Sequence, residues 1–320
     1  MSLSEKLNDL ITEWFDNIIY PTTPKGLYEP IEYTLRSGGK RLRPTLLLAA
    51  VNAFNGDIYT ARDQCIGIEM FHNFTLLHDD VMDNSDLRRG QPTVHRRWNE
   101  NTAILSGDTM LTMATQLMSK CPDRHLRRVL DTFNTTAIEV YEGQQYDMDF
   151  EDRDDVTVEE YIEMIRLKTS VLLGCALKIG AILADADDEA IDAIYNFGVY
   201  LGLGFQLRDD YLDSFGDPLI FGKQLGGDIL NDKKTWLMIN ATNEDDTGTM
   251  IKASQGRYTD IEKIEKVTAV YRNLNLDKRI LELIRHYSNL AVKALDSINV
   301  ENASRKYFIE LINRLEGRMH

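Results

Sequence analysis

Two copies of one acidic pattern, Asp-Asp-x-x-Asp, stand 130 residues apart in this chain. The first comprises Asp79, Asp80 and Asp83; the second comprises Asp209, Asp210 and Asp213. The first and third acids of each are i and i+4, so on a helix they share one face. Carboxylates crowded into an apolar stretch repel one another unless something positive binds them. A hard divalent cation with a phosphate as cargo meets that need. Mg2+ takes one or two protein carboxylates and completes its octahedron with water and phosphate oxygens. The plain alternative is a solvated acidic face. A random shuffle yields about 0.3 copies of the pattern, and on the order of 0.04 for two. Context argues further against chance, because largely apolar runs, Phe71 to His78 and Val199 to Leu207, precede the motifs. The acids from Asp147 to Asp155 show no such order and read mostly as a solvated edge. An EF-hand needs alternating loop ligands, a central glycine and a closing Glu, which neither motif has.

Phosphate also needs Arg forks and Lys point charges. These cluster where the apolar pattern breaks. Ser37 to Pro44 is basic and carries Gly38 and Gly39; Leu87 to Thr93 follows the first acidic motif; Phe215 to Asp228 follows the second and is glycine-rich. Lys40, Arg43, Arg88, Arg89, Lys168, Lys223 and Lys233 are the candidates. Each alone is an ordinary surface cation; their placement beside glycines or acidic motifs raises them. His72 lies seven residues before Asp79, two helical turns away on the same face. His78 and His95 have no comparable argument.

The elements that must position these residues are helices. Apolar residues recur at i, i+3, i+4 nearly throughout, strand-type alternation is hard to find, and the last of the 7 prolines is Pro218. The expectation is all-α, with helices near 4–20, 28–36, 44–54, 60–82, 98–119, 124–147, 157–183, 187–214, 229–240, 259–272, 276–298 and 303–316. Asp187 to Glu189 and Thr157 to Glu160 look like helix starts. With no linker or composition shift, residues 1–320 read as a single domain. Hydrophobic residues make up 43%, enough for a sizeable core. The net charge of −15 argues against nucleic acid or an anionic membrane as main partner. No apolar run is long enough to insert in a membrane, and Val171 to Leu183 is interrupted by Lys178. The start lacks a signal-peptide pattern, and Cys65, Cys121 and Cys175, unpatterned, fit a reducing, cytoplasmic setting.

Taken in order, these motifs resemble the trans-type isoprenyl (polyprenyl) diphosphate synthases. The resemblance runs from Gly38-Gly39-Lys40-Arg41-Leu42-Arg43-Pro44 through the first acidic motif with Arg88-Arg89-Gly90. It continues through Gly143-Gln144 and Asp147, Lys168-Thr169, Gln206 with the second motif, Gly222-Lys223, Gly227-Asp228 and Lys233. It covers roughly residues 20 to 300. It implies the isoprenoid synthase fold, a helical bundle around a large central apolar cavity, and a homodimer. It implies that isopentenyl diphosphate is condensed 1'-4 with an allylic diphosphate (dimethylallyl, geranyl or farnesyl) by Mg2+-assisted ionisation, with Mn2+ as a possible substitute and three ions per site. Asp79, Asp83 and Asp209 would hold Mg2+ on the allylic diphosphate, with Asp80 and Asp213 completing the motifs. Arg88, Lys168, Lys223 and Lys233 would contact that diphosphate, and Gln144, Asp147, Thr169 and Gln206 would line the ionisation region. Lys40, Arg43, His72 and Arg89 would bind isopentenyl diphosphate. Loss of the leaving group needs no nucleophile, which accounts for the lack of a Ser-His-Asp or Cys constellation.

Product length in this family is set just before the first motif, here by Phe71, Phe74 and Thr75. A bulky residue five positions back, Phe74, marks short products. There is no insertion within the motif and no aromatic at Thr75, a combination that resembles a geranylgeranyl-forming subtype, with the farnesyl type next. An ideal helical wheel places Thr75, not Phe74, nearer the face of Asp79. The floor role of Phe74 therefore comes from the resemblance. A terpene cyclase shares the first motif but has a different second one and lacks the Lys40, Arg43 and His72 set. A non-catalytic regulatory subunit tends to lose one motif. A metal-buffering bundle leaves the basic segments unexplained.

Overall fold

The computed structural model describes residues 2–216 and 226–317, so Lys223 and residues 318–320 lie outside the described residues. The expected all-α class holds: the described strands are a single two-residue hairpin pair. The chain divides into two compact units, residues 1–135, 175–194 and 299–307 in the first, and 136–174, 195–298 and 308–320 in the second.

The first unit contains α1 (Leu3–Asp16), α2 (Lys25–Arg36), α3 (Leu42–Ala53) and α4 (Arg62–Met82). Then come β1 (Leu87–Arg88), β2 (Gln91–Pro92), α5 (Val94–Arg97), α6 (Glu100–Met118) and the start of α7 (Asp123–Glu151). Leu46, Leu47, Leu48, Ala49, Ala50 and Val51 on α3 are all fully buried. A helix apolar on every side is a core helix, and α3 fills that role. Against α4 lies α6, close enough that a Cβ on Gly67 would meet the Ala114 carbonyl at 3.2 Å. The last turn of α4 carries the first acidic motif.

The second unit holds the rest of α7, α8 (Val158–Ile165), a π-helical turn (Arg166–Ser170), the start of α9 (Val171–Leu183) and most of α10 (Asp188–Phe215). Further on lie α11 (Gly227–Leu230), α12 (Trp236–Glu244), α13 (Thr249–Ser254), α14 (Asp260–Asn273) and α15 (Leu276–Asp296); the chain's last helix is α16 (Asn302–Leu315). One cluster of buried side chains, including Tyr161, Leu207, Leu237, Val267, Tyr271 and Ile280, forms its core. On α15 the buried positions Leu276, Ile280, Ile284, Ser288, Ala291 and Leu295 follow the i, i+4 stripe of an amphipathic helix. The expected helix starts are present: Thr157 and Glu160 form a capping box on α8, and the Asp187 carboxylate accepts from the Ala190 N–H at 2.8 Å.

Two expectations are corrected. The stretch 229–240 is not one helix. It breaks between α11 and α12, where Asp232 takes φ 51° and the Thr235 hydroxyl caps α12 by accepting from the Met238 N–H at 3.2 Å. Thr before an apolar run is a legible N-cap, and Asp tolerates the left-handed conformation better than most residues. The stretch 157–183 is helical throughout, but residues Arg166–Ser170 are wound as a π turn.

Candidate active site

In the first unit the motif sorts its three acids by face. Asp80 is buried, Asp79 is half-buried and Asp83 is exposed. The middle acid turns inward and accepts from Arg88 Nε at 2.7 Å. Burial pushes the Asp80 carboxyl above its ordinary value, and the Arg88 charge opposes that rise. Arg88 is held by the hairpin, whose register pairs Leu87 with Pro92 and Arg88 with Gln91. That register leaves Arg89 and Gly90 as a two-residue turn, with φ of 53° and 75°. Positive φ at both central positions is the type I′ pattern, which favours Asn-Gly; a β-unbranched Arg at the first of them carries a conformational cost.

Arg89 is directed back to the segment before α3. Its Nη1 donates to the Gly38 carbonyl and, at 3.4 Å, to Asn73 Oδ1. Gly39, at φ 141°, leaves room for that guanidinium: a Cβ there would stand 3.0 Å from Arg89 Cζ. Arg43 and Arg41 join it around one buried carboxylate, Glu69, which is 3% exposed. Burial pushes Glu69 up while Arg43, Arg41 and Arg89 pull it down. Burial lowers the Arg43 guanidinium to about 10, against the pull of Glu69. His72 is half-buried and held well below the usual imidazole range, by desolvation first and then by Arg43, Arg89 and Arg88. It is therefore a neutral donor near pH 7. Arg43 Nε and Arg41 Nη1 are enclosed donors without a hydrogen-bond partner among the described residues. Enclosed donors without a partner are costly, and a bound anion is one of the groups that satisfies them. Lys40 is exposed nearby in sequence.

The chain-length candidates sit on the same helix. Phe71 is fully buried, with its ring 5.2 Å from Phe133 and 5.6 Å from Phe74. Phe74 is 6% exposed and packs edge-on to His78 at 4.8 Å. Thr75 is half-buried, and its hydroxyl donates to the His72 carbonyl at 2.8 Å.

In the second unit the middle acid is again the buried one, while the outer two exchange places. Asp210 is 3% exposed, Asp213 is half-buried and Asp209 is exposed. Tyr161 O–H donates to Asp210 Oδ2, and Gln206 Nε2 donates to its Oδ1 at 3.1 Å. Thr169 in turn donates to Gln206 Oε1 at 3.3 Å, which fixes that amide's orientation. Asp213 accepts from the Asp228 N–H at 3.0 Å and so tethers the start of α11. The π turn presents Lys168, which reaches Asp147 Oδ2 at 2.5 Å. Gly143 makes the approach possible, because a Cβ there would stand 2.3 Å from the Lys168 backbone nitrogen. A π turn adds a residue to the helix and re-aims the side chains on it, a device common at functional sites.

Lys233 occupies the break between α11 and α12. Crowding by protein acts to lower its ammonium, but Asp147, Asp228, Asp210 and Asp209 outweigh that and hold it well above the ordinary lysine value. Burial, reinforced by Asp228 and opposed by Lys233, raises Asp210 to about 7. Burial raises Asp228 to about 6, again opposed by Lys233. The described groups here, Asp147, Asp209, Asp210, Asp213 and Asp228, outnumber Lys168 and Lys233, so this region favours further positive charge.

Sequence reasoning did not single out Arg41, Glu69, Asn73, Tyr161 or Asp228. Only Arg41 and Asp228 lay within a motif that was read. Tyr161 and Asp210 are 49 residues apart and meet only through folding. Gln144 is half-buried on α7.

An all-α scaffold with two acidic turns, each with arginine or lysine nearby, suits a transferase that works on diphosphates. Residues 24–274 match the family model described as polyprenyl synthetase. A geranylgeranyl pyrophosphate synthase from Geoglobus acetivorans is 38% identical, over 99% of this chain and 100% of that protein. A crystal structure described as geranylgeranyl pyrophosphate synthase superposes with TM-score 0.93 at 42% identity, covering 99% of each chain. One from Corynebacterium glutamicum, complexed with isoprenyl diphosphate and magnesium, has TM-score 0.85 at 27% identity, covering 99% of this chain and 98% of that one. The chain belongs to the polyprenyl synthetase family. It is a prenyltransferase of the short-chain trans-isoprenyl diphosphate synthase type and has the all-α isoprenoid synthase fold. Among the described residues, no helix is long and apolar enough to cross a membrane.

Proposed function

We propose that this chain makes geranylgeranyl diphosphate by repeated 1'-4 condensation of isopentenyl diphosphate with an allylic diphosphate. The observation that carries this reading is shared by the two acidic turns: the middle acid is buried and hydrogen-bonded, and both outer acids are less buried than it is. Phe74, bulky and almost buried five residues before Asp79, supports a short product, and the name of the Geoglobus relative supports the twenty-carbon one. In this reading residues 1–320 act as a single domain, since every motif serves one reaction.

Mg2+ fits the donor set. Among the described residues, no group of three or more His, Cys, Asp or Glu is arranged to hold a metal ion. Two open carboxylates completed by diphosphate oxygens and water are the mode Mg2+ favours. Asp79, Asp83 and Asp209 are the proposed ligands, for three ions per site, with Mn2+ as a substitute. When bound, the metal neutralises charge that grows on the leaving diphosphate.

The chain's own cations do the rest. Arg88, Lys168 and Lys233, with Lys223 outside the described residues, hold the allylic diphosphate with Thr169 and Gln206. They favour the transition state because charge rises on the diphosphate as the C1–O bond breaks. Gln144 and Asp147 line this region. Lys40, Arg43, His72 and Arg89 hold isopentenyl diphosphate, whose double bond attacks the allylic C1. That attack leaves a cation at C3 of the isopentenyl unit, and loss of a proton from its C2 to the released diphosphate forms the new allylic double bond. Enclosing walls keep water from the cation. Phe71, Phe74 and Thr75 set chain length. Exposed Ile104 and Leu105 on α6 suit a homodimer contact in a cytoplasmic protein.

The test is incubation with isopentenyl diphosphate, Mg2+ and dimethylallyl, geranyl or farnesyl diphosphate, with product length read by mass. A twenty-carbon product is expected. No elongation of any primer overturns the reading, and a fifteen-carbon end point overturns the product assignment alone.

A further inference from the structure

We infer that Asn73 is a positioning residue that aims Arg89 at the second diphosphate, with Glu69 as its anchor. The inference rests on the reading that the Arg43, His72 and Arg89 cluster takes isopentenyl diphosphate. Its basis is a chain of hydrogen bonds within the first unit. Asn73 Nδ2 donates to the Glu69 carbonyl at 2.8 Å and to Glu69 Oε1 at 3.3 Å. A backbone carbonyl can only accept, so the amide nitrogen must face Glu69. Its oxygen is therefore turned to the other side, where it accepts from Arg89 Nη1 at 3.4 Å.

Glu69 and Asn73 are 3% exposed each, and both lie on α4, one turn apart. A buried amide with its orientation fixed is a rigid acceptor. Arg89, by contrast, starts from the exposed tip of a two-residue turn. A long side chain there loses about 2 kcal/mol of rotamer freedom when fixed. Holding it in place before the ligand arrives removes that cost from binding. Glu69 is also a buried counter-charge common to Arg41, Arg43 and Arg89. Arg43 Nε and Arg41 Nη1 are enclosed and have no hydrogen-bond partner among the described residues. Neither Asn73 nor Glu69 needs to touch substrate.

A double-mutant cycle on the KM for isopentenyl diphosphate, at saturating allylic substrate, tests this. Asn73→Leu keeps volume and removes the amide; Asn73→Ser, too short to span to Arg89, replaces it if the leucine variant does not fold. Arg89→Ala and Asn73→Leu should each raise this KM about 10-fold, and the double variant should raise it no further. In Asn73→Leu the KM for the allylic diphosphate and kcat should stay within about two-fold, whereas a merely structural lesion would lower kcat through lost folded enzyme. Multiplying effects in the double variant, or an unchanged KM in both Asn73 variants while Arg89→Ala raises it, overturns the inference alone. An unchanged KM in Arg89→Ala overturns the pocket assignment and the inference with it.

Discussion

The two acidic turns share a pattern but differ in how their charge is balanced. In the first unit arginines do the balancing. Arg88 pairs with the buried Asp80, and Arg41, Arg43 and Arg89 surround Glu69, with enclosed donors to spare. In the second unit carboxylates are in excess, and burial raises Asp210 to about 7 and Asp228 to about 6. The planar fork of Arg is always charged and suits a fixed anion. Crowded carboxylates suit a region that gains cations in use. The difference teaches that the first unit is built toward an anion and the second toward positive charge.

The largest expected effect tests whether both turns serve one diphosphate. Asp79→Ala and Asp209→Ala should each lower kcat by on the order of 10³, because each removes a metal ligand that stabilises the leaving group. Steady-state rates with Mg2+ decide this, and a fall of less than tenfold in one variant alone would break the symmetry. Next, Lys233→Ala should lower kcat/KM for the allylic diphosphate about 100-fold, the cost of removing a charge-assisted contact. Its KM for isopentenyl diphosphate should not move. If that KM rises instead, the division of labour between the units is wrong. Phe74→Ala should then lengthen the product by at least one isoprene unit, and an unchanged spectrum by mass removes Phe74 from the floor of the tunnel.

The smallest effect concerns stability in the metal-free protein. Asp210 titrates near 7 when folded, against an ordinary 3.8, so the folded state binds this proton more tightly. Its contribution is complete below about pH 4 and is lost as pH rises through about 7. Melting temperature should therefore rise on acidification from pH 8 to 6, by an amount worth on the order of 1–3 kcal/mol. Asp210→Asn should flatten that profile in calorimetry. A variant with the wild-type slope would place the excess acid elsewhere.

Much of this was legible. The long helices follow from apolar periodicity: 187–214 was expected and Asp188–Phe215 is found, and 60–82 became Arg62–Met82. The i and i+4 spacing correctly grouped Asp79 with Asp83 and Asp209 with Asp213, away from the middle acids. The break before Thr235 was missed, although Thr235 is a good N-cap, because apolar residues continue on both sides of it. The π turn was missed because its sequence, Arg166–Ser170, fits an ordinary helix; in the fold its backbone lies close against Gly143 of α7.

The sequence by itself determined the helical class, the acidic turns, the basic segments beside them and the order that marks the family. These depend on local spacing and residue type, which the chain carries in one dimension. Tertiary structure alone decided that Tyr161 would hold Asp210, that Asn73 would face Arg89, and that Lys233 would stand among four carboxylates. It also set how far each buried carboxyl departs from its ordinary titration. Such facts depend on which groups meet across tens of residues and how much water remains around them, and only the folded chain fixes either.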